Sequence, residues 1–304
     1  VCVVGSFAVG LSLRVDRWPV GGETVLGGGF DQGPGGKGSN QAVQAARLGA
    51  RVELVGCVGA DVFGDSALAL YEAEGVGTTF LRRTSERNTG VGFIVLDGAG
   101  NNRIVLDPGA NSLLRPEDVA AARAAYAGSA VVLTQLEIPL EAAGAAMRMG
   151  RAAGARTILN PAPARRLPAE LLEDVDLLTP NQTEARVLVG LAPEDPCPDD
   201  DVCRELLRLG IRAVIMTRGA EGALVVSDDE TFASPSHAVD VVDSTGAGDA
   251  FNGALAAGLA DGLGLDEAVR LATAAGALAC TRLGVIDSLP TEAEISALLA
   301  RGHR

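Results

Sequence analysis

Between an apolar strand signal and an Ala-rich helix signal stands the string Asp243-Ser-Thr-Gly-Ala-Gly-Asp-Ala-Phe-Asn-Gly253. Its residue types suit phosphoryl chemistry. Gly246, Ala247 and Gly248 have little or no side chain, so their backbone N–H groups can approach a phosphate at the positive end of the following helix. Asp249 sits where that helix begins. A carboxylate there is badly placed to hold the phosphate itself and well placed to accept a proton from an attacking hydroxyl. Asp is also common in first turns as a plain cap, but the eleven-residue string as a whole favours the chemical role.

Gly35-Gly-Lys-Gly-Ser-Asn40 marks a second helix start. It is not a Walker loop, because GxxxxGK[ST] would need Gly where Asp31 stands and Ser or Thr where Gly38 stands. It reads instead as a pocket wall whose backbone lies close to a ligand. Lys37 is the only lysine among 25 Lys and Arg residues, which hints at a specific need for an ammonium group. Thr179-Pro-Asn-Gln-Thr-Glu184 closes a strand. Thr179 with Gln182, and Pro180 at the first helical position, reads as an ordinary capping box, and local pattern favours that reading. The chemical alternative sets Asn181 and Glu184 around the water shell of a magnesium ion. Thr217-Arg-Gly-Ala-Glu-Gly222 is a glycine turn that could lie along a nucleotide or simply join a hairpin. Glu137 follows the strand Val131 to Leu136 at its C-terminal end, where open α/β sheets bind ligands, although a lone Glu there is more often a solvated loop residue than a ligand contact.

These motifs need a scaffold, and the apolar patterning supplies one. Val1 to Val4 reads as a buried strand ending at Gly5-Ser6, and Leu11 to Phe30 as short antiparallel strands. A helix runs from Gly38 to Leu48 and stops at Gly49; Arg51 to Val55 returns to strand. Gly90 to Leu96 and Arg103 to Leu106 bracket the hairpin turn Asp97-Gly98-Ala99-Gly100. From residue 130 onward strands (130–136, 157–159, 176–178, 211–217) alternate with helices (140–153, about 248–261, 265–282), the mark of a mainly parallel sheet covered on both faces. Ala223 to Val226 and Glu230 to Phe232 form a hairpin, and Glu292 to Ala300 a last amphipathic helix. The expected organisation is one α/β domain over residues 1–304. A small β-sheet lid interrupts it, formed by about 10–34 and 88–107.

Composition narrows the function. The 304 residues are 47% hydrophobic and only 3% aromatic, which predicts a dense aliphatic core packed through small residues. A formal net charge of -14 opposes nucleic-acid binding, since phosphate backbones are held by clustered Lys and Arg. Cys2, Cys57, Cys197, Cys203 and Cys280 form no CxxC pair, and His237 and His303 lie far apart, so neither a zinc site nor a disulfide framework is signalled. Small-residue runs such as 251–260 are too short and interrupted for a membrane span, and no signal peptide is visible. A soluble cytoplasmic protein is expected.

In several strings the chain resembles the ribokinase branch of the PfkB carbohydrate kinases over nearly its whole length. They are Gly22-Glu-Thr24 after a proline, Gly35-Gly-Lys-Gly-Ser-Asn-Gln41, Gln135-Leu-Glu137, Asn160-Pro-Ala-Pro163, Thr179 to Glu184, and 243–253. The resemblance implies a three-layer α/β ribokinase-like fold, a mainly parallel sheet flanked by helices with a β lid that often serves as a homodimer interface. It implies ATP as donor, Mg2+ and K+ as ions, and a small sugar or polyol as acceptor. Asp249 becomes the catalytic base and the amides of Gly246, Ala247 and Gly248 the anion hole. Gly36, Lys37, Asn40 and Glu137 join Asp249 on the sugar side. Asn181, Thr217, Gly219, Gly222, Gly248 and Thr273 fall on the nucleotide side, with Asn181 and Glu184 holding magnesium through water. Asp243, Thr245, Cys280, Arg282, Gly284 and Ser288 are implied for potassium, partly through carbonyls.

One departure bears on the acceptor. Ribokinases follow the first strand with Gly-Ser-x-Asn-x-Asp, whose Asn and Asp bind sugar hydroxyls; here Ala8 and Gly10 stand at those positions. The reaction type survives, while ribose as acceptor is put in doubt beside 2-keto-3-deoxygluconate, fructose, nucleosides and sugar phosphates. Two other classes compete. A nicotinamide oxidoreductase is weakened because Gly5 to Gly10 gives no GxGxxG before a helix. A non-catalytic sugar sensor on the same fold is opposed by the intact Asp249 and glycine turn.

Overall fold

The structure, a computed structural model, describes residues 1–98 and 101–301. The hairpin turn expected at 97–100 therefore lies partly outside the described residues, but its two flanking strands are present.

Nine strands build the large sheet: β1 (Cys2–Val4), β4 (Val52–Gly59), β5 (Val76–Thr84), β8 (Val131–Thr134), β9 (Arg156–Leu159), β10 (Leu177–Leu178), β11 (Ala213–Thr217), β12 (Ala223–Ser227) and β13 (Thr231–Ser234). Their order is β13-β12-β11-β10-β9-β8-β1-β4-β5. All neighbours are parallel except the edge hairpin β11–β12–β13. Alternation along each strand divides the core between two layers of helices. Val1 and Val3 pack on one face with Ala254, Ala272 and Tyr71, whereas Cys2 and Val4 pack on the other with Met147, Leu206 and Tyr126. The three-layer architecture follows from that division.

A second sheet contains β2 (Ala8–Val15), β3 (Gly27–Gly35), β6 (Gly90–Leu96) and β7 (Asn102–Asp107) in the order β3-β2-β6-β7. It corresponds to the expected lid. β2 pairs with β6 in parallel, opposing Ala8 to Gly90 and Gly10 to Gly92, and with β3 antiparallel, opposing Ala8 to Gly35 and Gly10 to Gly33. Asn111 ties this sheet to the main body: Oδ1 accepts from the Phe7 N–H at 3.0 Å and Nδ2 donates to the Phe7 carbonyl at 2.7 Å.

Two expectations are corrected. The helix expected over 265–282 spans Leu265–Ala279, and the carbonyl of its C-cap Cys280 accepts the amides of Val242 and Asp243 in place of a further helical N–H. The capping box expected at Thr179 and Gln182 is formed two residues later, by Asn181 and Glu184. There the Asn181 side chain accepts from the Glu184 N–H and the Glu184 carboxylate from the Asn181 N–H, both at 2.8 Å. Thr179 is drawn inward instead, its hydroxyl donating to Asn252 Oδ1 at 2.6 Å. The helix Val62–Glu74 and β5 carry no expectation above; the Asp61 cap and the left-handed Gly75 stop were the available signals.

Candidate active site

The site lies beyond the C-terminal ends of the parallel strands, as open α/β sheets dictate. β1 delivers Ser6, β8 delivers Gln135 and Glu137, β9 delivers Asn160, β10 delivers Thr179 and Asn181, and β11 ends on Thr217. Two helices complete it, Lys37–Arg47 and Ala247–Ala260. They approach closely at Gly253, where an added Cβ would come within 2.6 Å of the Gln41 carbonyl oxygen. That closeness sets the side chains of Asn40 and Gln41 against Asp249.

Asp249 is only 7% exposed. Asn40 Nδ2 donates to its Oδ2 at 2.7 Å and Gln41 Nε2 to its Oδ1 at 2.8 Å. Burial pushes its pKa above the ordinary aspartate value; Lys37 and the two amides pull it back, while Glu137 adds to the rise. For Lys37 burial works against the ammonium charge, but Asp249, Glu137 and Glu184 outweigh it and leave its pKa raised. Burial likewise raises Glu184, with the Asn181 N–H and Lys37 opposing. Three carboxylates thus surround the one lysine.

Lys37, Asn160, Thr179, Asn181, Glu184, Gly246, Gly248, Asp249 and Asn252 line a cavity of about 180 Å³. A larger cleft of about 510 Å³ adjoins it and shares Thr217 and Gly248. Its walls include Gly219, Gly222, His237, Val239, Phe251, Thr273 and Cys280. That volume suits a nucleotide-sized ligand. Gly246 caps the helix Ala247–Ala260 at φ 83°, a left-handed conformation that glycine adopts without strain. The Ala247 N–H reaches the Ser244 carbonyl at 3.3 Å, whereas the Gly248 N–H has no backbone acceptor among the described residues.

Not every expected residue meets the cavities directly. Glu137 stands behind the wall, its Oε2 accepting from the Ser6 hydroxyl at 2.6 Å and the Lys37 N–H at 2.8 Å. Gly36 and Asn40 do not line the small cavity, and Asn40 instead donates to Asp249. Thr273 lines the large cleft, but its hydroxyl donates to the Val269 carbonyl at 2.5 Å. The six residues implied for potassium occupy two loops next to the glycine turn. An added Cβ at Gly246 would lie 2.9 Å from Val285, which shows how closely those loops meet. Asp243 Oδ1 accepts from the N–H and hydroxyl of Thr245 at 3.0 and 2.7 Å. The Ser288 hydroxyl donates to the Val285 carbonyl at 2.8 Å, and Arg282 pairs with Glu294. Among these six only Cys280 lines either of these two cavities. Ser6, Asn252 and the amides of Gln41, Gln135 and Asn160 are contributions given no chemical role in the sequence reading, where Thr179 figures only as a cap.

Residues 1–292 match the family model described as pfkB family carbohydrate kinase. The chain belongs to that family. It is 38% identical over 300 residues to a ribokinase of Bacillus subtilis, covering 99% of each chain. It is 33% identical over 292 residues to a deoxyribokinase of Salmonella typhi, covering 96% of this chain and 95% of that one. A structure of Arabidopsis thaliana ribokinase complexed with ribose and ATP superposes with a TM-score of 0.90 at 30% identity, over 98% of this chain and 97% of the other. The protein is accordingly a pfkB-family carbohydrate kinase with ATP as phosphoryl donor. No described helix is long and apolar enough to cross a membrane.

Proposed function

We propose that Asp249 is the base of this transfer and that the small cavity receives the acceptor hydroxyl and the terminal phosphate. The carrying observation is that a buried carboxylate, raised in pKa, lines the same cavity as the Gly246–Gly248 turn, which in turn opens into the nucleotide-sized cleft. The acceptor O–H proton passes to Asp249 while the oxygen forms its bond to the γ-phosphorus. The bond from that phosphorus to the β–γ bridging oxygen breaks, and ADP leaves. The Gly248 N–H and the N-terminal end of the helix stabilise the charge on the transferring group.

Glu184 fits an outer contact to a magnesium ion: one carboxylate oxygen serves the cap to Asn181, and its second oxygen has no hydrogen bond among the described residues. Asn181 and Glu184 would hold Mg2+ through water, and the ion would neutralise phosphate charge. The carbonyl-rich loops around Asp243, Thr245, Cys280, Arg282, Gly284 and Ser288 would hold K+. One oxygen of Asp243 there is free of hydrogen bonds among the described residues.

The acceptor we assign is a small sugar or polyol that makes no hydrogen bond at the positions of Ala8 and Gly10, hence less hydroxylated or bulkier there than ribose. The deoxyribokinase relative supports that reading; the relatives named ribokinase support ribose itself. An ADP-release screen across ribose, deoxyribose, fructose, 2-keto-3-deoxygluconate and nucleosides, with Mg2+ and K+ present, ranks them, and absence of turnover with every one overturns the assignment. Two further features are proposed: a cytoplasmic setting and a homodimer through the lid. Phe30 is 64% and Val105 69% exposed on the lid, which supports the dimer. Light scattering at micromolar concentration tests it, and a strictly monomeric mass argues against it.

A further inference from the structure

Asp249 is held by a run of side-chain amides whose direction is set at its far end by a backbone carbonyl. Asn160 Nδ2 donates to the Thr179 carbonyl at 3.0 Å, which leaves Asn160 Oδ1 as an acceptor. Gln41 Nε2 donates to that oxygen at 3.1 Å and to Asp249 Oδ1 at 2.8 Å, and Gln41 Oε1 accepts from Gln135 Nε2 at 2.6 Å. A carbonyl can only accept, so each amide has one orientation that satisfies its neighbours. Turning Gln41 over would set its oxygen against two oxygens and its N–H groups against those of Gln135. Gln41 is fully buried and Gln135 nearly so, leaving no water to absorb the mismatch. Gln135 Oε1 is itself buried without a partner, so the donation to Gln41 is kept even though it strands an oxygen.

A second arm starts from Thr179. Its hydroxyl donates to Asn252 Oδ1 at 2.6 Å, and Asn252 Nδ2 donates to the Gly248 carbonyl at 2.8 Å. One residue at the end of β10 therefore fixes both the carboxylate and the glycine turn that flank the reacting phosphate.

We infer that Gln41 is a positioning residue for phosphoryl transfer: locked by Asn160 and Gln135, its amide holds the Asp249 carboxylate in one rotation and favours its ionised form. This rests on Asp249 being the base. The other charged groups facing Asp249 are Lys37 at the start of the same helix as Gln41, Glu137 beyond β8 and Glu184 on Gln182–Leu188. None of them changes when Gln41 is replaced, so its substitution isolates the amide.

The test compares Gln41→Leu, Gln135→Leu and Asp249→Asn in the full-length chain with the best acceptor from the screen. Losing a hydrogen bond to a charged group lowers kcat of Gln41→Leu by roughly 10- to 100-fold, with KM for ATP within about twofold of the parent. The acid limb of its kcat/KM profile moves to higher pH, because one of the donors that offset burial is gone. Gln135→Leu, which removes one of the two contacts that lock Gln41, loses less rate and moves the limb the same way. A Gln41→Leu protein that melts earlier but keeps its kcat and its pH limb is only structurally impaired, and the inference falls. If Gln41→Leu does not fold, Gln135→Leu decides, and parental kcat with a parental limb overturns the inference. Turnover by Asp249→Asn sinks the base assignment. An inactive Asp249→Asn beside an unaffected Gln41→Leu sinks only the role of Gln41.

Discussion

Asn40 Nδ2 donates to Asp249 Oδ2 at 2.7 Å although the two residues are 209 positions apart. The helix that begins at Lys37 and the helix that begins at Ala247 therefore converge on one carboxylate. Two helix N-termini facing one cleft favour negative charge, and that counters part of the cost of burying an ionised aspartate.

Replacing Asp249 by Asn separates chemistry from stability. The carboxamide cannot take the proton, so kcat falls ~100- to 10,000-fold while ATP binding is retained. The folded pKa is raised by burial, so the charged form costs stability once pH exceeds the unfolded aspartate value, and the full cost is present above the folded pKa. The stability of Asp249→Asn relative to the parent accordingly rises as pH climbs from about 3.9, offset by a pH-independent cost where its NH2 group meets one of the two amide donors. Thermal melts and ADP release on the same preparation check both parts, and near-normal turnover in a folded variant contradicts the assignment.

The same raised pKa predicts the parent's pH dependence. With Asp249 required as the anion, kcat/KM rises with pH through a midpoint above the usual aspartate range. Lys37 stays charged across neutral pH because its own pKa is raised. A profile whose acid limb lies at the value of an exposed aspartate is incompatible with this environment.

Glu184 serves a cap and, in the proposed function, a cation, and one substitution divides the two. In Glu184→Gln a side-chain oxygen can still accept from the Asn181 N–H, so the melting temperature changes little. Loss of the charge raises the magnesium concentration for half-maximal rate by roughly 10- to 100-fold, the range for groups that orient a metal's own ligands. A magnesium titration that superposes on the parent's assigns Glu184 to capping alone.

Potassium is expected to raise the rate above sodium at matched ionic strength. The loop carrying Val285 bears directly on Gly246, so an ion ordering that loop also orders the turn proposed to receive the phosphate. Equal rates in the two salts remove the ion from the scheme.

Much of this site was legible in the sequence, for a physical reason. The glycine turn, its aspartate, Lys37 and the strand-end motifs are short strings whose backbone demands are local. The amide run through Gln41, Gln135, Asn160 and Thr179 was not legible, because its polarity exists only once three strand ends and a helix meet. All four of those residues stood inside recognised strings, yet nothing in a string says that Gln41 touches Asp249. The displaced capping box has the same origin: Thr179 satisfies the pattern locally, but its hydroxyl finds Asn252, 73 residues away.

The acceptor wall gives the last prediction. Alternation along β2 puts Ala8 and Gly10 on one face of the lid sheet. Opposite them in the lid stand Gly33, Gly35, Gly90 and Gly92, so these paired positions carry no polar side chain. Gly10 does not need to be glycine: its φ is not positive, and an added Cβ would meet only the Gly33 carbonyl and Ile94 at 3.7 Å, ordinary contact. Ala8→Asn/Gly10→Asp should therefore fold. An aspartate accepting sugar hydroxyls makes charge-assisted hydrogen bonds worth ~1.5–3 kcal/mol, so kcat/KM for ribose rises roughly tenfold or more. The best screened acceptor of the parent gains nothing or loses, since the new side chains fill space it occupies. If the parent already prefers ribose over every acceptor tried, and the double variant does not improve on it, those two positions do not control acceptor choice.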